Sequence, residues 1–376
     1  MKPVSSAPDP ARVGRAYFQK YYKSVGGNEV RVTFIPSREF AFSYFGEEGM
    51  HRHISFSKLE ELVEHLRTTV PRHAFYSTAY YRDPCVKDMD GKGWLGADLV
   101  FDIDVDHVET PCKELHDTWS CKSCGASGWG SVTACPRCGS NTIERHTWVC
   151  ETCISVARDE VLKLVDFLEM DLGLSRQELL VTFSGHRGFH VHIEAPEVRE
   201  LGQDSRREIV DYVKGLGLDA RFLVTKTRGG YKLRSETPLG WYGRVARWAL
   251  IKFGSENPTL SLSEWQSVLK ESVSKEAAAV DEKVTIDTKR LIRLPNSLHG
   301  KTGLRVAPFT VHELENFNVI DRAKVFTSGE VAVRLEGGPK RVLDAKLEGG
   351  RELALPTYVA LYLLLNGAKL LKFDAR

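Results

Sequence analysis

The sequence predicts an α/β protein, one discontinuous domain carrying two insertions. Three observations carry that prediction. Asp98 to Asp106 alternates strictly, with Phe101, Ile103 and Val105 on one face and Asp102, Asp104 and Asp106 on the other, which is the period of a strand. Two further apolar runs, Leu179–Phe183 and Phe189–Ile193, are joined by the Gly-containing turn Ser184–Gly188. After Asp281 the chain returns to short strand-like runs. Between these pieces lie a cysteine-rich stretch at 112–153 and a basic, aromatic, helical stretch at 197–280.

Composition narrows the class. Of 376 residues, 42% are hydrophobic and 27% charged, which excludes wholesale disorder and fibrous repeats. A net charge of +2 excludes a polycation but not a local nucleic-acid-binding patch. The most apolar stretch, Val359–Leu365, is far short of the ~20 residues that span a bilayer. Residues 1–10 are polar and Pro-containing, and read as a loose tail with no hydrophobic signal region. A cytoplasmic protein is expected, and its eight cysteines then point to metal rather than disulfides.

The elements follow in order. Val13, Ala16, Tyr17, Lys20 and Tyr21 mark a helix over 11–22, and short strands are expected at Val30–Ile35 and Phe40–Phe45. Ser57 to Glu60 reads as a capping box ahead of Leu59, Leu62, Val63 and Leu66. After the cysteines, Ile154, Val161, Leu164, Val165 and Leu168 form the buried stripe of an amphipathic helix ended by Gly173. Ser175–Glu178 is a second capping box, of one or two turns. Lys283–Thr288 and Leu304–Phe309 read as strands, and Pro356 and Gly367 bracket a last helix. The core is thus assigned to 11–111, 154–196 and 281–376.

Three segments carry chemistry. Asp102 and Asp104 share one strand face, roughly 7 Å apart. Like charges so placed repel unless a cation lies between them, and a hard divalent ion with phosphates resolves this. A solvated edge strand is the structural alternative. In the turn, Gly185 and Gly188 permit close backbone approach while His186, Arg187 and His190 supply donors for phosphate; a hairpin with solvated basic residues is the alternative. Asp287 to His299 alternates charged and apolar residues, so Asp287 could complete a metal site and Arg293 and His299 could reach the same phosphates.

Cys121-x-x-Cys124 and Cys135-x-x-Cys138, ten residues apart, have zinc-ribbon spacing, with redox CxxC chemistry as the lesser alternative. Cys85 is left without a partner and reads as a buried or incidental thiol. From Arg221 to Lys252 there are eight Lys/Arg and one acid, Glu236, interleaved with Phe222, Tyr231, Trp241, Tyr242 and Trp248. That composition suits a single-strand-binding surface, or equally a helical subdomain with an aromatic core and solvated cations.

Taken together, Lys92–Asp104 (KGWLGADLVFDID), Ser184–His190 (SGHRGFH) and Asp287–His299 (DTKRLIRLPNSLH) resemble the small, catalytic subunit of the archaeal and eukaryotic type of DNA primase, the archaeal branch in particular. Order and spacing agree over most of the chain. The resemblance implies a mixed β-sheet flanked by helices, a zinc-binding knob and a helical insertion. It implies that Asp102, Asp104 and Asp287 hold two Mg²⁺ or Mn²⁺ ions, and that Ser184, His186, Arg187, His190, Arg293 and His299 grip a nucleoside triphosphate. His186 stands where some members carry a second arginine. Arg38, Glu39 and Arg52 fall where the family has polar residues near the nucleotide. The resemblance also assigns Cys112, His116, Cys150 and Cys153 to a structural zinc, which makes the Cys₄ set a second one. The expected activity is template-dependent synthesis of short primers, RNA and possibly DNA, on single-stranded DNA, in a heterodimer with a primase large subunit in an archaeal cytoplasm. A stand-alone repair primase-polymerase and a non-catalytic zinc-ribbon binding protein are the other readings.

Overall fold

The computed structural model describes residues 9–26, 30–108, 110–235, 237–334, 338–347 and 352–367. The tail expected at 1–10 thus lies outside the described residues except for Asp9 and Pro10, and Glu236 lies outside them too. Asp9 caps the first helix, α1 (Pro10–Ser24), by accepting from the Ala11 N–H, with Pro10 at the first helical position. Then come β1 (Phe40–Ser43), β2 (His51–Ile54), α2 (Leu59–Thr69), β3 (His73–Ser77), β4 (Ala79–Tyr81), β5 (Trp94–Ala97) and the acidic strand β6 (Leu99–Asp104). A cysteine-rich excursion holds α3 (Lys113–His116), β7 (Thr118–Cys121), β8 (Ser127–Trp129) and β9 (Ile143–His146). The long helix α4 (Glu151–Asp166) leads to the hairpin β10 (Leu179–Phe183) and β11 (Gly188–Ile193).

A mainly helical stretch follows: α5 (Gln203–Val213), α6 (Ala220–Leu223), the hairpin β12 (Val224–Thr227) and β13 (Gly230–Leu233), α7 (Gly240–Phe253) and α8 (Leu262–Glu276). Then α9 (Glu282–Ile286), β14 (Leu291–Arg293), β15 (Pro308–Phe309), α10 (Val311–Asn316), α11 (Val319–Ala323), β16 (Glu330–Arg334), β17 (Arg341–Val342), β18 (Ala345–Lys346), β19 (Glu352–Pro356) and α12 (Thr357–Leu365) complete the chain.

Two four-stranded sheets frame the centre, in the orders β14-β3-β1-β2 and β15-β10-β11-β6. Every pairing in them is antiparallel. β6 pairs with β11 so that Asp102 faces His190 and Asp104 faces Gly188 across the ladder. Helix α4 covers the other face of this pair with Ala157, Val161 and Leu164, all fully buried, against Phe101, Ile103 and Val191. The alternation read in β6 is therefore a division between a packed face and a chemical one. Helix α12 is apolar all round and buried, so the last helix bracketed by Pro356 and Gly367 is a core helix. No helix among the described residues is long and apolar enough to cross a membrane.

Local expectations fail where tertiary contacts override them. No strand forms at Val30–Ile35: Phe34 takes a left-handed φ of 53° and a 3₁₀ turn follows at Ile35–Ser37. Lys283–Thr288 is not a strand, because Asp281 caps the Lys283 N–H and starts α9. Within Leu304–Phe309 only Pro308–Phe309 forms a strand, and Arg305 makes an isolated bridge to Leu298. Asp106 leaves the strand for a 3₁₀ turn, Val105–His107, capped by the Asp104 carboxylate. Ser57 bonds Glu61 rather than Glu60. Cys85 is exposed, against Ser55, and not buried.

The basic aromatic stretch resolves as a subdomain with its own core. Trp265 is fully buried in it, and Tyr231, Tyr242 and Trp248 pack against it. Trp241 joins the main core instead. Arg244 is buried against Asp171 (2.6 Å) and stacks 3.7 Å from the Phe167 ring, so it anchors the subdomain rather than facing nucleic acid. Arg247 and Lys252 pair with Glu276 and Glu271. This favours the packing alternative over a continuous binding surface. The run also holds the β12–β13 hairpin, which its sequence did not announce.

Candidate active site

The two central sheets meet at a cleft of about 230 Å³. β6 lines it with Asp102 and Asp104, the β10–β11 hairpin with Ser184, His186 and His190, and β14 and the residues on either side of it with Arg290, Arg293 and His299. Phe75 and Val284 close its apolar side. Residues from three distant parts of the chain converge because β6 and β11 are ladder neighbours and β14 runs along β3.

Two glycines make the turn possible. Gly185 has a φ of +81°, and a Cβ there would stand 2.7 Å from the His299 Cβ. A Cβ on Gly188 would stand 2.2 Å from the Ile103 carbonyl oxygen, so this position brings the turn onto β6. The Ser184 Oγ accepts from the His186 and Gly188 N–H groups, and the Thr302 hydroxyl donates to the Gly185 carbonyl at 2.6 Å. The turn is braced from both sides.

The electrostatics are those of an anion-repelling floor under a cationic wall. Burial, then the neighbouring Asp281, pushes the Asp102 carboxyl up to about 6, while Arg290 and Arg293 partly offset this from across the cleft. Asp104 is raised as well, by burial first and by Asp106 and Asp102 after it, although the Asp106 N–H opposes the shift. His190 Nε2 lies 3.4 Å from Asp102, but burial and Arg293 hold that imidazole down at about 3, so it is neutral. His186 is likewise held at about 3 by burial and Arg187, and His299 is held well below its ordinary range by burial and Arg293. The histidines therefore offer neutral donors, because the cleft desolvates them. Positive charge comes from Arg290 and from Arg293, which burial lowers only to about 10.

The Lys301 N–H donates to His299 Nδ1, which leaves Nε2 as that ring's donor. Arg293 donates to His73 Nδ1 at 2.9 Å. The floor carboxylates have no fully charged partner at contact distance among the described residues. That unrelieved like charge fits a hard divalent cation, the group the acidic pattern implied.

The structure does not bring every expected residue to this cleft. Asp287 spends its Oδ1 on the Lys289 N–H at 2.9 Å and does not line it. Asp281 does not line the cleft either, but it stands behind Asp102: its backbone N–H donates to the Asp102 carbonyl at 2.8 Å and its charge acts on Asp102. Arg187 points away from the cleft, into Asp106, Asp117 and the Trp148 carbonyl. Arg38 is sealed against Asp98 at 2.7 Å beneath Tyr80. Glu39 takes Arg52 (3.0 Å) and Lys92 (3.3 Å), so these residues form a charge network away from the cleft lining. Sequence reasoning missed Arg290 and Asp281. Arg290 stood inside a segment already singled out; Asp281 carried no signal beyond a helix-capping aspartate.

Two further groups can each hold a zinc ion: Cys112, His116, Cys150 and Cys153, all buried, and Cys121, Cys124, Cys135 and Cys138. In each, the ligand atoms lie within 4.8 Å of one another. The first is oriented as such sites are, with His116 Nδ1 on Asp117 at 2.8 Å and Nε2 turned to the sulfurs. These are the two sets expected. With four protein ligands apiece they leave no open position for catalysis.

Acidic strand, cationic cleft and Gly-bearing turn together are the arrangement a nucleotidyltransferase needs. Comparison with known proteins makes this specific. Residues 141–311 match the family model described as DNA primase small subunit. The DNA primase small subunit PriS of Pyrobaculum arsenaticum is 38% identical over 362 residues, covering 94% of this chain and 97% of that one. PriS of Thermoplasma volcanium is 34% identical over 357 residues, covering 93% and 94%. The chain belongs to the DNA primase small subunit family. The polymerase domain of Mycobacterium tuberculosis ligase D in complex with DNA shares 14% identity at a TM-score of 0.37 over 84% of this chain and 88% of that one, too distant to add to the assignment.

The Asp102 shift predicts a pH effect on the metal-free protein. Its folded value, about 6, lies above the unfolded one, so the folded state binds the extra proton. Stability should fall as pH rises from about 4 to 6, by about 2 kcal/mol. Asp102→Asn should therefore be more stable than wild type at pH 7 and no different at pH 4. Thermal melts in chelator at the two pH values measure this; equal melting temperatures at pH 7 would refute it.

Proposed function

We propose that this protein is the catalytic subunit of a DNA primase, which makes short primers on single-stranded DNA from nucleoside triphosphates. One observation carries the reading: two half-buried aspartates on β6 stand in the same cleft as Ser184, His186, His190, Arg290, Arg293 and His299. Asp102 and Asp104, with Asp281 rather than Asp287, would hold two Mg²⁺ or Mn²⁺ ions. Such ions, when bound, lower the pKa of an attacking 3′-hydroxyl and neutralise a leaving pyrophosphate.

The chain's own residues orient the nucleotide. Arg290 and Arg293 supply charge to the triphosphate, and the neutral imidazoles of His186, His190 and His299 supply donors that need no proton from solvent. The walls of the cleft partly desolvate Asp102, which strengthens each of these contacts. The name small subunit, carried by the relatives, supports a heterodimer with a large subunit. On the basic hairpin, Lys226, Arg228 and Lys232 are exposed and pair with no acid among the described residues, which suits a template backbone.

The test is synthesis on unprimed single-stranded DNA with labelled ribonucleotides or deoxyribonucleotides and Mg²⁺ or Mn²⁺, alone and with a large subunit. Short products that need no primer are expected. Extension of a supplied primer only would replace this reading with a repair or gap-filling polymerase. No synthesis in either assay, with DNA binding intact, would leave a binding protein.

A further inference from the structure

We propose that Arg187 is a positioning residue, a strut that fixes the Ser184–Gly188 turn to the Cys₃His knob, so that the knob sets how tightly the turn holds a nucleotide. The inference rests on the nucleotide-binding reading of the cleft. Sequence alone groups Arg187 with the phosphate ligands. Its side chain is instead fully buried and spends every nitrogen on protein. Nε donates to the Trp148 carbonyl at 2.8 Å, Nη1 to Asp106 at 2.5 Å, and Nη2 to Asp117.

Trp148, Asp117 and His116 all belong to the knob. The Asp117 Oδ1 is the shared node: it also accepts from the Trp148 N–H at 3.1 Å and bonds His116 Nδ1 at 2.8 Å. His116 in turn presents Nε2 3.2 Å from the Cys153 sulfur. An unbroken chain of polar contacts thus runs from the zinc ligands to the backbone between His186 and Gly188. Asp106 adds the end of the acidic strand to it, and the Arg187 carbonyl accepts from the Val105 N–H at 3.2 Å. A planar fork with donors in fixed directions can satisfy these acceptors at once; a flexible ammonium cannot.

Outer-shell partners of metal ligands commonly cost ten- to a hundredfold in function when removed. Asp117→Asn separates the two roles Arg187 could have. It keeps a carbonyl for His116 and removes the charge that holds Arg187. As a strut, Arg187 then loosens, and Mg²⁺–nucleotide affinity falls about tenfold or more. As a direct phosphate ligand, Arg187 would instead be freed, and affinity would hold or rise. We expect Asp117→Asn to retain its zinc, to weaken fluorescent-nucleotide binding, and to speed amide hydrogen exchange at 184–188 by a similar factor. Arg187→Lys should show the same exchange and should not restore binding.

Unchanged affinity and unchanged exchange in a zinc-loaded Asp117→Asn protein would overturn the proposal. If that variant does not fold, Asp106→Asn, at the exposed end of the same network, takes its place with the same two readouts. If the wild type binds no nucleotide, the functional reading fails, while hydrogen exchange still decides the strut.

Discussion

Asp104→Ala is expected to reduce primer synthesis by at least about a thousandfold, with fold and zinc content intact. Asp104 lies on the chemical face of β6, opposite the strand face sealed by α4, so removing its carboxylate opens no void in the core. It does have a second job. Its Oδ1 accepts from the Asp106 N–H at 2.8 Å and caps the 3₁₀ turn, a contact whose loss costs about 1 kcal/mol. Asp104→Asn keeps an acceptor for that N–H and removes only the charge. Both variants should therefore be inactive. An active Asp104→Asn beside an inactive Asp104→Ala would reduce Asp104 to a cap and remove it from the metal site. Full activity in both would take the acidic strand out of the chemistry. Gel analysis of labelled products, with circular dichroism and metal analysis on the same preparations, reads all three outcomes.

The second large effect is on stability. Replacing Cys150 and Cys153 together by serine should remove one zinc of two and destabilise the protein by about 4 kcal/mol or more, since structural zinc binding is part of the folding free energy. Both cysteines are fully buried in the main core beside Trp148 and Val149. The matching change at Cys121 and Cys124 should also remove one zinc, yet leave the main melting transition close to wild type. That ribbon packs in a separate small cluster around Trp119, Cys135 and Val132 and shares little with the central sheets. Metal analysis and thermal melts of the two double variants make the comparison. Unchanged zinc content in either would refute its ligand set, and equal loss of stability in both would refute the division between a knob set in the core and a peripheral ribbon.

Much of the site was legible because its chemistry is local. Asp102 and Asp104 are two residues apart on a strand, and a strand puts such residues on one face wherever it lies. The CxxC pairs are legible for the same reason, since a knuckle presents both sulfurs within a few residues. The turn at 184–188 was legible from its glycines, whose freedom its close contacts require.

What failed was direction. Arg187 and Arg38 have the residue type and the place of phosphate ligands, but acids far away in sequence, Asp117 and Asp98, turn both of them inward. Desolvation left the cleft histidines neutral, and no sequence pattern reports the burial of a cleft formed between two sheets.

By itself, then, the sequence determined the elements whose hydrogen bonds and ligands close within a few residues: the acidic strand, the glycine turn, the CxxC pairs and the helices with a clear apolar stripe. Only the tertiary structure decided that Asp281 rather than Asp287 stands by Asp102, that Arg290 joins the cleft, and that the aromatic insertion packs a core of its own. The physical reason is that a buried charge goes where its partner is. That partner is chosen by the packing of sheets and helices, over separations of 70 residues in the case of Arg187 and Asp117, and not by the neighbours along the chain.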